Sequence, residues 1–300
     1  MIVFASSITD PELYRMCAEP GIRLAAEPDS EVIANAAAGS IFRSYNLIMD
    51  SVAGREDLEA LVLLHQDSEL ASPDFCATVR EALRDPEVGV VGCVGAVGVR
   101  SIAWWEGSVT WASFSHRYRE HGGGELPSLS WKTDGLPAFA QTGEVDTVDG
   151  FVLALSPWVV RNVRFDESLG LLHGYDFDFC MQVRAAGRKV VTADFRVVHH
   201  HSLKLVSNRE TWLAAYVRVA EKWDGDLPGT SNANDWQARV RRAEAEAALA
   251  RTEAVAAKLD ADAARRRAEM DLAEVLGATS WRITAPLRRL NAARKARLAR

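Results

Sequence analysis

Two residue types stand in this 300-residue chain where they can do chemistry: carboxylates at the ends of strand-like runs, and a run of three histidines. Asp67 follows the apolar run Ala60-Leu61-Val62-Leu63-Leu64 and the polar pair His65-Gln66. Asp149 interrupts a second strand-like run beside Gly150, and Asp176 and Asp178 open a helix-like segment. His199, His200 and His201 close a later run. Carboxylate oxygens ligate hard divalent cations, and imidazole joins them where the cation is Mn2+. A carboxylate can also take the proton of an attacking hydroxyl. Each group has a plain structural alternative. Asp67 can cap the following helix, Asp149 can be a turn residue, and Asp176 and Asp178 can simply answer the helix dipole. One histidine of three need be functional.

The elements that would position these groups alternate between strand and helix. Ile2–Ala5 reads as a strand and Pro11–Glu19 as a helix, and Gly21 and Pro28 bracket a second short strand at Ile22–Ala25. Ile41, Tyr45, Ile48, Met49 and Val52 recur at helical spacing within Ser30–Ala53. Ala60–Leu64 and Val88–Val94 are wholly apolar runs of strand length around a helix at Pro73–Arg84. Such strands belong to a sheet covered on both faces. The alternation predicts an open α/β sheet, whose ligands bind beyond the carboxyl ends of its strands. Asp67 stands at such an end. Residues 95–145 form a long irregular stretch rich in Gly, Trp and Ser, of a kind that is more often functional than passive. Gly92, Gly95 and Gly98 lack dinucleotide-loop spacing.

Charge divides the chain. Residues 236–300 hold 15 Lys/Arg and 8 Asp/Glu, while residues 1–235 hold 20 and 33. An acidic body argues against nucleic acid as the main partner, and a basic tail suits an acidic surface. From Trp236 to Leu276 the chain contains neither Gly nor Pro, which predicts a long helix. Trp236, Val240, Ala243, Ala247, Ala250, Ala254, Ala257, Ala261, Ala264 and Ala268 keep a 4-3 spacing, the period of a coiled coil, although alanine is abundant enough here to align by chance. Residues 276–300 carry seven Lys/Arg and no acid, with Trp281, Ile283 and Leu287 among them. That end suits an anionic membrane surface or plain solvent. The four cysteines are far apart and read as reduced core thiols. The start of the chain lacks the marks of a secretory leader, and no run approaches 18 apolar residues. A cytoplasmic protein is expected, peripheral to the inner face of the cell membrane if the tail binds there.

The order LVLLHQDSEL, VGVVGCVG, WW, VDGFVLAL, HGYDFDFCMQVRAAGRKVV, VVHHHS resembles the family 2 glycosyltransferases of the GT-A fold, over about residues 1–205. It is most similar to a prokaryotic branch linked to capsule and polysaccharide synthesis. The resemblance implies an α/β fold with a GT-A-like open mixed sheet flanked by helices, then a long helical tail. It implies a glycosyltransferase domain at 1–228, a linker at 229–235 and the tail at 236–300. Transfer would run from a nucleotide-sugar donor to a hydroxyl on a glycan or lipid-linked acceptor, with Mn2+ or Mg2+ and with inversion. The acidic motif at the end of the central strand here reads His65-Gln66-Asp67, which makes Asp67 and His65 candidate metal ligands. The later Glu-Asp motif reads Tyr175-Asp176, which leaves the catalytic base to Asp176, with Asp178 nearby. A histidine among His199, His200 and His201 would complete the metal site. Asn46 falls where such enzymes carry an Asn before the central strand, and Glu27 or Asp29 falls near the acid that meets the nucleotide base. Asp149 is a further substrate-binding candidate.

Trp104, Trp105 and Trp131 read either as packing residues or as a platform for a sugar ring. Trp105 is the substrate-binding candidate among them. The rival function is a non-catalytic nucleotide-sugar or glycan-binding module that keeps the fold, motivated by the altered His65-Gln66-Asp67. A scaffold that recruits other enzymes through its tail is a third. Because every candidate residue precedes Pro228, residues 1–229 are expected to fold without the tail, and the tail to serve association with a second copy or with membrane.

Overall fold

Apolar runs covered on both sides become the centre of a seven-stranded sheet in the computed structural model. Described in it are residues 1–99, 101–106, 108–117, 125–126, 143–200, 208–223, 234–284 and 286. Trp131, His201, linker residues 229–233 and basic-end residues 287–300 lie outside them.

In chain order the first half comprises β1 (Ile2–Ile8), α1 (Pro11–Met16), α2 (Ala18–Ala25), β2 (Glu31–Ala36), α3 (Ile41–Val52), β3 (Ala60–Leu64), β4 (Ser68–Leu70), α4 (Phe75–Ala82), β5 (Val88–Gly92) and β6 (Val94–Val97). There follow β7 (Ser108–Ala112), β8 (Phe114–Arg117), β9 (Glu125–Leu126), β10 (Gly143–Val145), β11 (Thr147–Val148), β12 (Val152–Leu155) and α5 (Pro157–Asn162). The remainder is α6 (Tyr175–Ala185), β13 (Lys189–Thr192), β14 (Val197–His199), α7 (Arg209–Trp223), α8 (Asn234–Gly277) and α9 (Thr279–Ile283).

The main sheet runs β10-β13-β5-β12-β3-β1-β2. β1 is parallel to β2 and β3, while β12 lies antiparallel between β3 and β5. The sheet is therefore open and mixed. Alternation of side chains splits its core in two. Val3, Ala5, Leu61 and Leu63 face a cluster with α3, α5, α6 and α7. Ile2, Phe4, Ala60, Val62 and Leu64 face one with α1, α2 and α4. Small sheets β11-β6-β7 and β4-β14-β8-β9 sit beside it. β4 and β14 matter most for function, because they extend from the two segments that carry Asp67 and His199.

Two local expectations change. Ile22–Ala25 is the end of helix α2, not a strand, and the second strand is Glu31–Ala36. Ala18, Gly21, Ile22 and Ala25 are the buried face of a helix. Gly21 serves close packing: a Cβ there would overlap the backbone of Leu70. β2 was hidden from pattern reading because it is an edge strand, most of whose residues are exposed.

The four cysteines are buried thiols. Among the described residues no helix is long and apolar enough to cross a membrane.

Contacts divide the chain at Glu253/Ala254, within α8, and not at the compositional break near 228. The first unit, Met1–Glu253, includes the start of α8, where Ala245, Ala248 and Leu249 are fully buried in the α3–α7 cluster. Thr252 is buried there too, and its hydroxyl accepts from Trp105 Nε1 at 3.2 Å. The packed face is therefore offset from the 4-3 alanines, since Ala243, Ala247 and Ala250 are exposed. In the second unit, 254–300, Ala254, Ala257, Ala261, Ala264 and Ala268 are exposed as well. A chain ending at 229 would leave this part of the core uncovered. A chain ending at 229 should lose about 3 kcal/mol from the uncovered Leu249 and alanine sites, a fall in Tm on the order of 10 °C. A chain ending at 253 should melt close to full length. Equal melting of both truncations would show that the start of α8 adds nothing to the core.

Candidate active site

The site forms where β3 ends. The His65 amide donates to Phe151 O (2.9 Å), so the backbone beyond Leu64 stays tied to the segment before β12. Gln66 then pins the turn to the loop after β1. Its Oε1 accepts from the Thr9 and Asp10 amides at 2.8 and 2.9 Å, and its Nε2 donates to Thr9 Oγ1. β4 starts at Ser68 and pairs antiparallel with β14, His199 opposite Ser68. The His200 amide donates to Asp67 O (2.8 Å). Glu69 and His200, 131 residues apart in sequence, lie on two segments thereby zipped together at the carboxyl edge of β3.

Zipping gathers three ligand-type side chains. Asp67 Oδ1 is 3.9 Å from His65 Nδ1 and 3.6 Å from His199 Nε2. One ligand atom from each of the three residues lies within 4.8 Å of the others. His199 is buried and stacks on Phe151 at 4.4 Å and 17°. Burial pulls its pKa down, but the Asp67 carboxylate, aided by that of Asp149, outweighs burial and holds it above the ordinary value. Burial dominates at His65, whose pKa falls to about 4 despite Asp67. His65 is thus a neutral imidazole at physiological pH, the form that binds metal. A carboxylate with two imidazoles is a donor set for a divalent transition-metal ion, and suits Mg2+ less well. By donor chemistry and by spacing these residues fit a divalent cation.

His200 is not in this cluster. Its Nε2 lies 2.7 Å from Glu69 Oε2.

Two carboxylates meet beside the cluster. Asp149 Oδ1 accepts from the Phe151 amide at 3.2 Å, and Asp176 Oδ2 accepts from the Gly150 amide at 3.1 Å. Burial and the neighbouring Asp149 charge push Asp176 up to about 7. Asp149 is raised as well, chiefly by burial. Two like charges held this close oppose each other's ionisation. Such a carboxylate is poised to exchange a proton near neutrality. Asp176 is the second residue of α6; the first, Tyr175, places its phenol oxygen 2.6 Å from His65 Nε2. The sequence alone gives Tyr175 no role. Its only signal was adjacency to Asp176.

The other candidates lie elsewhere. Asp178 is buried on the α7 side of α6, where it accepts from Gln182 Nε2 (2.7 Å) and Trp223 Nε1 (2.9 Å) and pairs with Lys222 Nζ (2.7 Å). Lys222 also bonds Asp166. Asp178 therefore clamps α7 to the body. Asn46 pairs its amide with the backbone of Phe165 in both directions and bonds Glu167, which fastens α3 to the segment before α6. Glu27 makes a two-pronged ion pair with Arg80, which also holds Glu59. Glu59 reaches the Met1 terminus at 3.1 Å, and Asp29 lies 4.0 Å from that terminus. This network lies at the amino ends of β1 and β3, the edge opposite Asp67. Trp105 turns its indole N–H to Thr252 and stands edge-to-face with the buried Trp104 at 5.9 Å. The structure thus joins Asp67, His65, His199, Asp149 and Asp176. It does not bring the side chains of Glu27, Asn46, Asp178 or His200 to them.

Comparison with known proteins gives the following. A family described as glycosyltransferase like matches residues 3–218. The streptomycin biosynthesis protein StrF of Streptomyces griseus is 29% identical over 206 residues, 67% of each chain. Among solved structures, GalNAc-T7 with UDP, GalNAc and Mn2+ aligns with a TM-score of 0.47 and 12% identity, over 73% of this chain and 47% of that one. The mannosyltransferase PcManGT of Pyrobaculum calidifontis, with GDP-Man and Mn2+, aligns with a TM-score of 0.45 and 15% identity, over 94% and 81%.

Proposed function

This chain belongs to the glycosyltransferase-like family, and we propose that it moves a sugar, of hexosyl type, from a nucleotide-sugar donor to a hydroxyl on a glycan or lipid-linked acceptor. Asp67, His65 and His199 would hold a divalent cation, Mn2+ or Mg2+. The observation that carries this reading is their convergence at the carboxyl edge of β3, beside a carboxylate raised to about 7.

When bound, such a cation supplies the positive charge that stabilises a departing diphosphate. The chain's own residues supply the rest. Asp176, ionised, accepts the proton of the acceptor hydroxyl as its oxygen attacks the anomeric carbon, and inversion follows from attack opposite the leaving group. Asp149 raises the basicity of Asp176 by its neighbouring charge. The Gly150 amide keeps Asp176 oriented. His65 takes the place of the missing first acid of the strand-end motif, so loss of that acid does not remove a donor from the cluster. This favours turnover over the non-catalytic alternative.

The same reading keeps the protein cytoplasmic, with its basic end at an anionic membrane surface. Trp281 and Ile283 are 37% and 73% exposed, as membrane contact requires. The exposed 4-3 alanines leave pairing with a second copy as the other use of the tail.

A thermal-shift screen of nucleoside diphosphates and nucleotide-sugars, each with and without Mn2+, tests the proposal. A true donor at about 100 times its Kd should stabilise by about 2.7 kcal/mol, and only with the cation. The stabilising donor should then be consumed on adding acceptor. No shift with any nucleotide would sink the reading; a shift without turnover over an acceptor panel would favour the binding module.

A further inference from the structure

We propose that Tyr175 is a positioning residue for the cation cluster: its phenol oxygen accepts the Nε2 proton of His65 and so leaves the Nδ1 lone pair facing Asp67 and His199. The inference rests on the metal-dependent reading above. A neutral imidazole carries one proton, and the nitrogen that holds it cannot bind a cation. A proton on Nδ1 would face Asp67 Oδ1 at 3.9 Å, too long for a hydrogen bond. A proton on Nε2 faces the Tyr175 oxygen at 2.6 Å. Histidine ligands are commonly fixed in this way by an acceptor on the far ring nitrogen, and losing that acceptor weakens the site.

The phenol is itself held in place. Tyr175 is 5% exposed. Its ring stands edge-on to Phe42 at 6.1 Å and to Tyr45 at 5.8 Å. Gly150 closes the remaining side, where a Cβ would overlap the phenol oxygen. No other residue at 150 leaves room for it. Through its amide the same glycine orients the Asp176 carboxylate. One dipeptide, Tyr175-Asp176, packed against one turn, Asp149-Gly150, therefore sets both the imidazole of the cation cluster and the basic carboxylate. The start of α6 couples the two halves of the site.

Tyr175→Phe removes only the oxygen from this arrangement. The metal-free wild type and the variant are titrated with Mn2+ alone, without nucleotide, and free Mn2+ is read by electron paramagnetic resonance. The expected result is a Kd about 10- to 100-fold weaker in the variant. A merely structural tyrosine would lower Tm and leave the Mn2+ affinity unchanged, and that outcome overturns the inference while sparing the cation site. A wild type that binds no Mn2+ overturns both. Nitrogen-15 spectra of the metal-free wild type provide a test that needs no variant: His65 should carry its proton on Nε2. A proton on Nδ1 overturns the assignment.

Discussion

Asp67→Asn should abolish cation-dependent donor binding, with Mn2+ affinity falling by more than about 100-fold, beyond what losing an outer-shell partner costs. Asp67 Oδ1 is the oxygen that both imidazoles approach, at 3.6 and 3.9 Å. An amide of the same shape has no charge for a hard cation. The fold should survive, because asparagine has the same shape and the Asp67 carbonyl still accepts from the His200 amide. Mn2+ titration together with a thermal melt reads both quantities. Unchanged Mn2+ affinity in a folded variant would remove Asp67 from the site.

Asp176→Asn should lower transfer by about 10²- to 10⁴-fold, the usual contribution of a general base, with donor binding intact. A base works ionised, so wild-type turnover should rise with pH and level off above a midpoint near 7, the value to which burial and Asp149 push this carboxyl. A cation on the neighbouring cluster would move that midpoint to lower pH. The variant should lose this limb. Stability gives an opposite sign. A carboxyl raised in the folded state loses stability as pH climbs through its folded pKa, so above pH 7 the asparagine variant should melt no lower than wild type. Asp178→Asn is the contrast. It weakens a buried link to Lys222 and Trp223, should cost about 1–3 kcal/mol, and should keep the pH limb. If instead Asp178→Asn is the inactive variant and Asp176→Asn turns over, the base has been assigned to the wrong carboxylate of α6.

Much of the architecture was legible from pattern. Ala60–Leu64 and Val88–Gly92 are wholly apolar because both faces of the main sheet are covered where they lie, while Val94, the end of the second run, opens β6 in a smaller sheet. Asp67, Asp149 and Asp176 stand out as candidates because strand ends, glycine turns and helix starts leave local marks. β2 left none, since an edge strand with exposed residues has no burial pattern to read.

Partnership between distant residues was another matter. Sequence placed His199, His200 and His201 at one strand end without separating them. The antiparallel register of β14 on β4 brings His199 to Asp67, while His200 turns to Glu69. Asp176 and Asp178 looked alike, two residues apart at one helix start. Helical geometry turns them some 200° apart, so that one meets Gly150 and the other meets Lys222. In α8 a 4-3 alanine stripe stood out, yet the buried residues among those described are Ala245, Ala248, Leu249, Thr252 and Ala263. Where alanine is everywhere, composition carries no phase. Hydrophobic pattern and turn chemistry are local properties and can be read along a chain. Which face of a helix is covered, which histidine swings inward and which nitrogen holds its proton depend on neighbours far away in sequence, and only the folded packing decides them.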